Sequence, residues 1–335
     1  MKKISTLTLI LSIIACSPKK DEMITQNPNI TATNLAEEIV REVKHYPEEI
    51  VYKLTYENYY CFFELLVNDV PVFKEFQSPA TGSAIEINQA IFKSGTQKIT
   101  YRMYPVGTIK DQDEVYSTLL DRTYLKFTLK SYDLKKPKES DTQYQEYKTR
   151  SMTVKPNEYE TIEKFDGAGQ VYYEGNFTID VKVPYTLEEK FKDAQDLRKM
   201  DPKILEAKLL NHYKQVKKIY EEKEYDNIAK LSYDKLRNEF VSTYDDDQRE
   251  IEEGWNDFLD AIKQPTLQMQ PITDYKLQFY AEGKLVGFVN QSVNGRYQGT
   301  SALWGKFAGD SGHFLSFEIK SLYYIPKGEN EFKEY

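Results

Sequence analysis

The hydrophobic positions of the chain recur with three successive spacings. Between Val51 and Val183 apolar and polar residues alternate, which indicates strands with one buried and one solvated face, usually antiparallel. From about residue 201 to 262 the apolar residues recur every three or four positions, as on one face of a helix, and from Tyr275 the alternation returns. The pattern predicts an α+β, mainly β fold: an N-terminal antiparallel β-sandwich, then a central helical segment packed with a C-terminal antiparallel sheet.

A tight turn is predicted between two apolar runs at Asn68 and Asp69, because both residue types tolerate positive φ. Cys61 is expected within the strand before this turn, as a small packing residue. Pro71 follows the turn and has no backbone N–H to donate, so the second strand should lie at a sheet edge.

Residues 85–105 predict a short helical turn followed by a strand. Asn88 is a plausible N-cap, Gly95 suits a left-handed position after the turn, and the strand should run over residues 97–104. Further strands are predicted at 123–132, 147–154 and 171–183.

The order of hairpin, capped turn and long strand over residues 50–107 resembles the jelly-roll sandwich of galactose-binding domains. Such modules often accompany bacterial glycan enzymes. The chain departs from the pattern at Asp69, where Gly is usual, and at Gln97, where Asn is usual. The resemblance therefore guides the fold and argues little for sugar binding.

Three helix starts are predicted from capping residues. Thr186 with Glu189 forms a capping box, Asp201 precedes a Pro at the first helical position, and Asp247 with Glu250 forms a second capping box. The last motif favours a helix start over a calcium site for residues 245–247.

The later strands are expected at 275–289, 301–307 and 313–325. Helices followed by an antiparallel sheet vaguely resemble the nuclear transport factor 2-like fold, but a plain α+β domain is the simpler interpretation.

The N-terminus resembles a bacterial lipoprotein signal. Two lysines precede an apolar stretch of about a dozen residues, too short to span a bilayer, which ends in Ile13, Ile14, Ala15 and Cys16. This lipobox-like end implies cleavage before Cys16 and lipidation of its thiol. The charged residues 17–22 resemble the surface-export tag of some Bacteroidota lipoproteins, although a solvated tether explains them equally well. The expected location is the outer membrane of the cell envelope, with the membrane contacted through the lipid on Cys16.

These features divide the chain into four parts. Residues 1–15 are the predicted signal peptide and residues 16–36 a lipidated, flexible tether. Residues 37–185 form the predicted N-terminal β-sandwich domain, and residues 186–335 combine the helices with the C-terminal antiparallel sheet.

Charge and composition exclude several classes of function. The chain carries a net charge of −8, which cleavage before Cys16 makes about −10, and an anionic surface argues against nucleic acid as a partner. Three dispersed histidines and two cysteines supply no typical zinc or iron site, and the sequence has no phosphate-binding or dinucleotide-binding motif. We therefore expect no metal and no cofactor.

One short stretch, residues 309–313, looks like the nucleophile loop of chymotrypsin-like serine proteases. Ser311 would need a base histidine, and His45 and His212 stand in no family motif. Asp310, Ser311 and the flanking glycines also form an ordinary hairpin turn, which is the favoured interpretation.

Two classes of function follow. The favoured one is a non-catalytic lipoprotein that binds a protein partner, as an immunity protein or as an accessory subunit of a surface complex. The alternative is contact with a glycan, as a binding protein or as a weakly signalled glycoside hydrolase, because 53 acidic residues always permit a carboxylate pair. A flat apolar patch would favour a protein partner, and a deep cleft with an aromatic floor and two carboxylates would favour a sugar.

Overall fold

The computed structural model describes residues 24–108, 114–291, 297–309 and 312–335. Its helices are α1 (Leu35–Glu42), α2 (Pro202–Glu221), α3 (Tyr225–Thr243) and α4 (Gln248–Lys263), with single 3-10 turns at Asn88–Ala90, Leu197–Lys199 and Ala281–Gly283. Its strands are β1 (Ile50–Tyr59), β2 (Phe62–Val67), β3 (Val70–Glu75), β4 (Ala80–Glu86), β5 (Gly95–Tyr104), β6 (Gly107–Thr108), β7 (Val115–Tyr116), β8 (Tyr124–Asp133), β9 (Thr142–Lys148), β10 (Ser151–Asn157), β11 (Glu160–Phe165), β12 (Tyr173–Val181), β13 (Gln268–Met269), β14 (Tyr275–Tyr280), β15 (Leu285–Asn290), β16 (Trp304–Ala308), β17 (Phe314–Glu318), β18 (Tyr323–Tyr324) and β19 (Lys333–Glu334). The predicted α+β, mainly β fold class is confirmed.

Two four-stranded antiparallel sheets form the N-terminal sandwich. One has the order β4-β1-β8-β9 and the other β12-β5-β2-β3. In β8, Leu125, Phe127 and Leu129 are buried while the residues between them are half-buried, so the two-residue alternation of the sequence becomes the inner face of the sheet. Apolar side chains from both sheets meet in one core.

The predicted turn at Asn68 and Asp69 joins β2 to β3, and both residues have positive φ, of 51° and 64°. Pro71 lies in β3, which is the edge strand of its sheet, as predicted. The two departures from the galactose-binding pattern have structural partners here. The amide of Asn68 donates to Gln97 Oε1 at 2.8 Å, and Asp69 pairs with Lys98 at 2.9 Å.

Several predicted details of the sandwich are wrong. Cys61 is fully buried but directly precedes β2 rather than lying in it. Asn88 does not cap the short turn, because its side chain accepts from Tyr52 N and donates to Ile50 O and Ser242 O instead. The strand predicted at 147–154 is divided between β9 and β10, since the chain bends to form the hairpin β10-β11.

Helices α2 and α4 begin as the capping residues predict. The Asp201 side chain accepts hydrogen bonds from the backbone N–H groups of the second and third residues of α2, and the Asp247 side chain does the same for α4. The helix predicted from Thr186 does not form. Its segment is extended and turned because Leu187 and Phe191 are buried in the sandwich core, and Leu187 N donates to Phe92 O.

The helices pack with the C-terminal strands, which form the antiparallel sheets β14-β15-β18-β19 and β13-β16-β17. A turn at Glu282 and Gly283 precedes β15, as predicted. No helix among the described residues is both long and apolar enough to cross a membrane.

The segment 24–36 corrects the prediction of a flexible tether up to residue 36. Ile24, Ile30 and Leu35 are buried in the core of the helical part, and Gln26 accepts a hydrogen bond from Glu334 N at 2.8 Å. Helix α1 packs on α3 and α4, so it belongs with the helical part and not with the sandwich to which residue 37 was assigned. The prediction is wrong because residues 25–29, which lie between the two buried isoleucines, are polar and show no apolar periodicity.

Candidate functional site

A cleft runs between strand β3 of the sandwich and the C-terminal sheets. Its two larger cavities have volumes of about 530 Å³ and 500 Å³, within the range of small-molecule binding sites. Phe73, Lys74 and Glu318 line both cavities, so the two adjoin. The cleft lies where the sandwich meets the helical part, and ligand sites often occur at such junctions.

Five of the thirteen residues that line the first cavity are aromatic, and we call it the aromatic cavity. The rings of Tyr297 and Trp304 lie side by side, with centroids 5.0 Å apart and planes inclined by 34°. Both residues are half-buried. Polar side chains surround this pair. The complete lining is Phe73, Lys74, Glu75, Phe76, Gln77, Ser78, Tyr297, Gln298, Thr300, Trp304, Ser316, Phe317 and Glu318.

Direct contacts across the cleft hold its two walls together. Lys74 on β3 donates to Gly299 O at 2.7 Å and to Glu318 Oε1 at 2.9 Å. Gly299 has φ of +68°, and a Cβ atom on it would lie 3.0 Å from the ring of Phe76. A larger residue would therefore be strained in its backbone and would crowd the aromatic wall.

A buried charge network lies at the third and smallest cavity, of about 180 Å³. Glu64 accepts from Arg102 at 3.1 Å and from the Tyr280 hydroxyl at 3.0 Å, and Arg102 also pairs with Glu174. Burial opposes the charge of Arg102, but the carboxylates of Glu64 and Glu174 raise its pKa. Burial also raises the pKa of Tyr280 well above its ordinary value. The network fixes Tyr280 of the C-terminal sheet against the sandwich.

The second cavity, which we call the lysine cavity, is lined by side chains of α3 and of the segment after β17. Lys235 and Asn238 come from α3, and Lys320 follows β17. Burial and the nearby Lys320 ammonium group lower the pKa of Lys235. Lys235 and Lys320 nevertheless remain accessible to solvent. The cavity therefore presents cationic groups to any molecule that enters it.

Two of the four carboxylates that line the cleft, those of Glu64 and Glu318, are ion-pair partners. Glu318 accepts from Lys74 and from Ser301 N, and Glu64 accepts from Arg102 and Tyr280. A general acid must donate a proton to its substrate, whereas these carboxylates already accept hydrogen bonds from cations. Glu64 and Glu318 are therefore placed to orient side chains of the cleft rather than to donate a proton to a substrate.

The described candidates for catalysis or metal binding, which are His45, His212, His313 and residues 245–247, do not line this cleft. Cys16, Asp310 and Ser311 lie outside the described residues. His45 contacts Glu49 at 2.8 Å and Asp246 at 3.0 Å, and hydrogen bonds to these carboxylates raise its pKa. Asp246, in the segment before α4, thus pairs with His45, whereas Asp247 caps the helix.

The other histidines are also accounted for. His212 packs against the rings of Tyr323 and Phe332, and burial lowers its pKa to about 4. His313 is exposed. Within the part of the chain that the structure describes, no group of three His, Cys, Asp or Glu side chains could hold a metal ion.

The cleft residues themselves were not predicted from the sequence. They come from β2 and β3, from α3 and from segments after residue 275, and no short motif links them. Comparison of the chain with protein-family models, with curated proteins and with solved structures finds no matching family, protein or structure.

Proposed function

We propose that this protein is a non-catalytic envelope lipoprotein that binds a glycan in the aromatic cavity. The observation that carries the proposal is the Tyr297–Trp304 pair in a cavity of about 530 Å³. Aromatic rings bind the apolar face of a sugar, while side chains such as Gln77 and Gln298 can bond its hydroxyl groups.

The attachment to the membrane is also a proposal, carried by the lipobox-like sequence ending at Cys16. Since Ile24 is already packed in the core, seven residues, and thus eight Cα–Cα steps, separate it from the proposed lipid on Cys16. A fully extended chain of that length spans at most about 29 Å. The folded part would then stand close to the outer membrane. Mass spectrometry of the membrane fraction tests this, because an N-terminus upstream of Cys16 would contradict it.

Titration with a panel of soluble oligosaccharides, followed by tryptophan fluorescence and calorimetry, tests glycan binding. The chain contains two tryptophans, and Trp255 is buried in the helical core. A binding signal should therefore come from Trp304 and disappear in Trp304→Phe. Trp304→Ala should weaken binding at least tenfold. Tyr159→Ala, which removes an aromatic ring far out on the hairpin β10-β11, is the matched control and should bind normally.

A protein partner is the second candidate function, favoured by the hairpin β10-β11. Within the described residues these strands pair only with each other, and Tyr159 at the hairpin turn is 97% exposed. Unpaired strand edges and exposed aromatic side chains are features of docking surfaces. A photo-crosslinking residue at position 159 should capture one defined protein in intact cells. Crosslinking at position 204, an exposed residue of α2, serves as the control.

A further inference from the structure

Two lysines in the lysine cavity have no carboxylate partner. Neither Lys235 nor Lys320 forms an ion pair within 4.0 Å, or a side-chain hydrogen bond, with any residue that the structure describes. Lys74, the third lysine of the lining, is paired with Glu318. Two ammonium groups in one concave site repel each other, and the Lys320 charge adds to burial, which is the larger cause, in lowering the pKa of Lys235. An anion placed between them would relieve that repulsion.

The lysine cavity also contains neutral hydrogen-bond donors beside its lysines. Asn238 is buried and accepts from Arg237 Nη2 through its carbonyl oxygen, so its amide nitrogen remains to donate. Gln89, from the short turn of the sandwich, lies across the cavity. Hydrogen bonds from ammonium and amide groups are the contacts that a carboxylate or a phosphate requires.

The acidic side chains that line the lysine cavity do not neutralise Lys235 and Lys320. Glu64 is paired with Arg102, and Glu318 is paired with Lys74. Glu239, one turn after Lys235 on α3, is the remaining acidic side chain of the lining. Its charge raises the pKa of Lys235, but burial and Lys320 outweigh it.

We propose that the lysine cavity binds the carboxylate of an acidic sugar, with Lys235, Lys320 and Asn238 as its donors. This inference rests on the proposed glycan binding, because the lysine cavity adjoins the aromatic cavity through Phe73, Lys74 and Glu318. A chain of uronic acids would stack one ring on Tyr297 and Trp304 and place a carboxylate between the lysines. The apolar residues Val72 and Leu322 also line this cavity and can contact the ring that carries the carboxylate.

The test compares oligomers of galacturonic, glucuronic and mannuronic acid with the carboxyl-reduced form of each, by calorimetry at two salt concentrations. At least one acidic oligomer should bind at least tenfold more tightly than its neutral counterpart, and less tightly at high salt. Lys235→Met and Lys320→Met should each reduce this preference, and the double variant should abolish it. Lys199→Met is the control, because this side chain is 82% exposed and lies outside the cleft.

The outcomes separate this inference from the proposed function. Equal binding of acidic and neutral oligomers, lost in Trp304→Ala, overturns the inference and leaves glycan binding intact. Acidic binding that persists in the double lysine variant overturns the assignment to this cavity. Lysine-dependent binding of inorganic phosphate without any uronic acid overturns the class of ligand. No binding of any of these oligomers overturns the inference, and the proposed function is overturned as well when the wider oligosaccharide panel gives no binding. Thermal unfolding of each variant shows whether it is folded.

Discussion

The Nζ atom of Lys74 in β3 lies 2.9 Å from Oε1 of Glu318 in β17, and this ion pair crosses the cleft. Both side chains are largely shielded, with 27% and 19% of their surfaces exposed. The same carboxylate also accepts from Ser301 N, which ties the loop before β16 to the pair. The contact thus fixes both the spacing of the cleft walls and the position of the loop that ends at Trp304.

Breaking this ion pair should lower the free energy of unfolding more than is usual for a partly exposed pair, because Lys74→Met leaves Glu318 without its cation. We expect each single variant, Lys74→Met and Glu318→Gln, to lower the free energy of unfolding by about 1–2 kcal/mol. The double variant should lose less than the sum of the two, with a coupling energy of about 1 kcal/mol. Urea unfolding measures all three. Strict additivity would show that the contact does not join the walls.

The local structure could be predicted from the sequence where the residues that determine it lie within a few positions of each other. Asp201 and Asp247 cap their helices because the capping oxygen and the free N–H groups are two or three residues apart. The same motif failed at Thr186, because Leu187 and Phe191 gain more from burial in the sandwich core than one helical turn would provide. Tertiary packing decided between two locally acceptable structures.

The cleft could not be predicted for a related reason. Lys74, Lys235 and Glu318 are separated by more than eighty residues in the sequence, and each is an ordinary charged residue in its local pattern. Only the packing of the sandwich on the helical part brings them to one cavity. Trp304 gave the one available signal, since it is one of only two tryptophans and stands in a short strand instead of a helical core.

Asn68 should stabilise the turn through its side chain as well as through its backbone. Its amide donates to Ala90 O and Gln97 Oε1, and its Oδ1 accepts from Lys98 N. Asn68→Gly keeps the positive φ and loses these bonds, so we expect a loss of about 2 kcal/mol. Asn68→Ala should lose roughly 1 kcal/mol more, because Ala is strained at a φ of 51°. Equal losses in denaturant unfolding would show that the backbone conformation contributes nothing.

Cys61 should be a structural residue without thiol reactivity. Its side chain is fully buried, its Sγ lies 3.6 Å from Tyr124 O, and burial raises the pKa of the thiol to about 12. In a chain that begins at residue 16 and carries Cys16→Ser, the folded protein should not react with a thiol reagent. Unfolding in guanidinium should expose one reactive thiol. Cys61→Ser should lower stability by roughly 1–2 kcal/mol, whereas rapid reaction of the folded protein would contradict burial.

Glu334 should make the stability of the protein fall as the pH rises. Its carboxyl is buried beside Ser321, and burial raises its pKa from 4.5 to about 7. Between these two pH values the folded state keeps a proton that the unfolded state has lost. The stabilisation from this proton is therefore complete below pH 4.5 and is lost as the pH passes through about 7.

Glu334→Gln removes this titration while keeping a group that can bond to Ser321. At pH 4 the variant and the wild type should have nearly equal free energies of unfolding. At pH 8 the variant should be more stable by up to roughly 3 kcal/mol, which corresponds to the difference between the two pKa values. His212→Phe is the control of opposite sign. Its lowered pKa of about 4 destabilises the wild type as the pH falls from 6.5, so this variant should gain stability at pH 4 rather than at pH 8. A constant offset between Glu334→Gln and wild type across this pH range would mean that the pKa of Glu334 is the same in the folded and the unfolded protein.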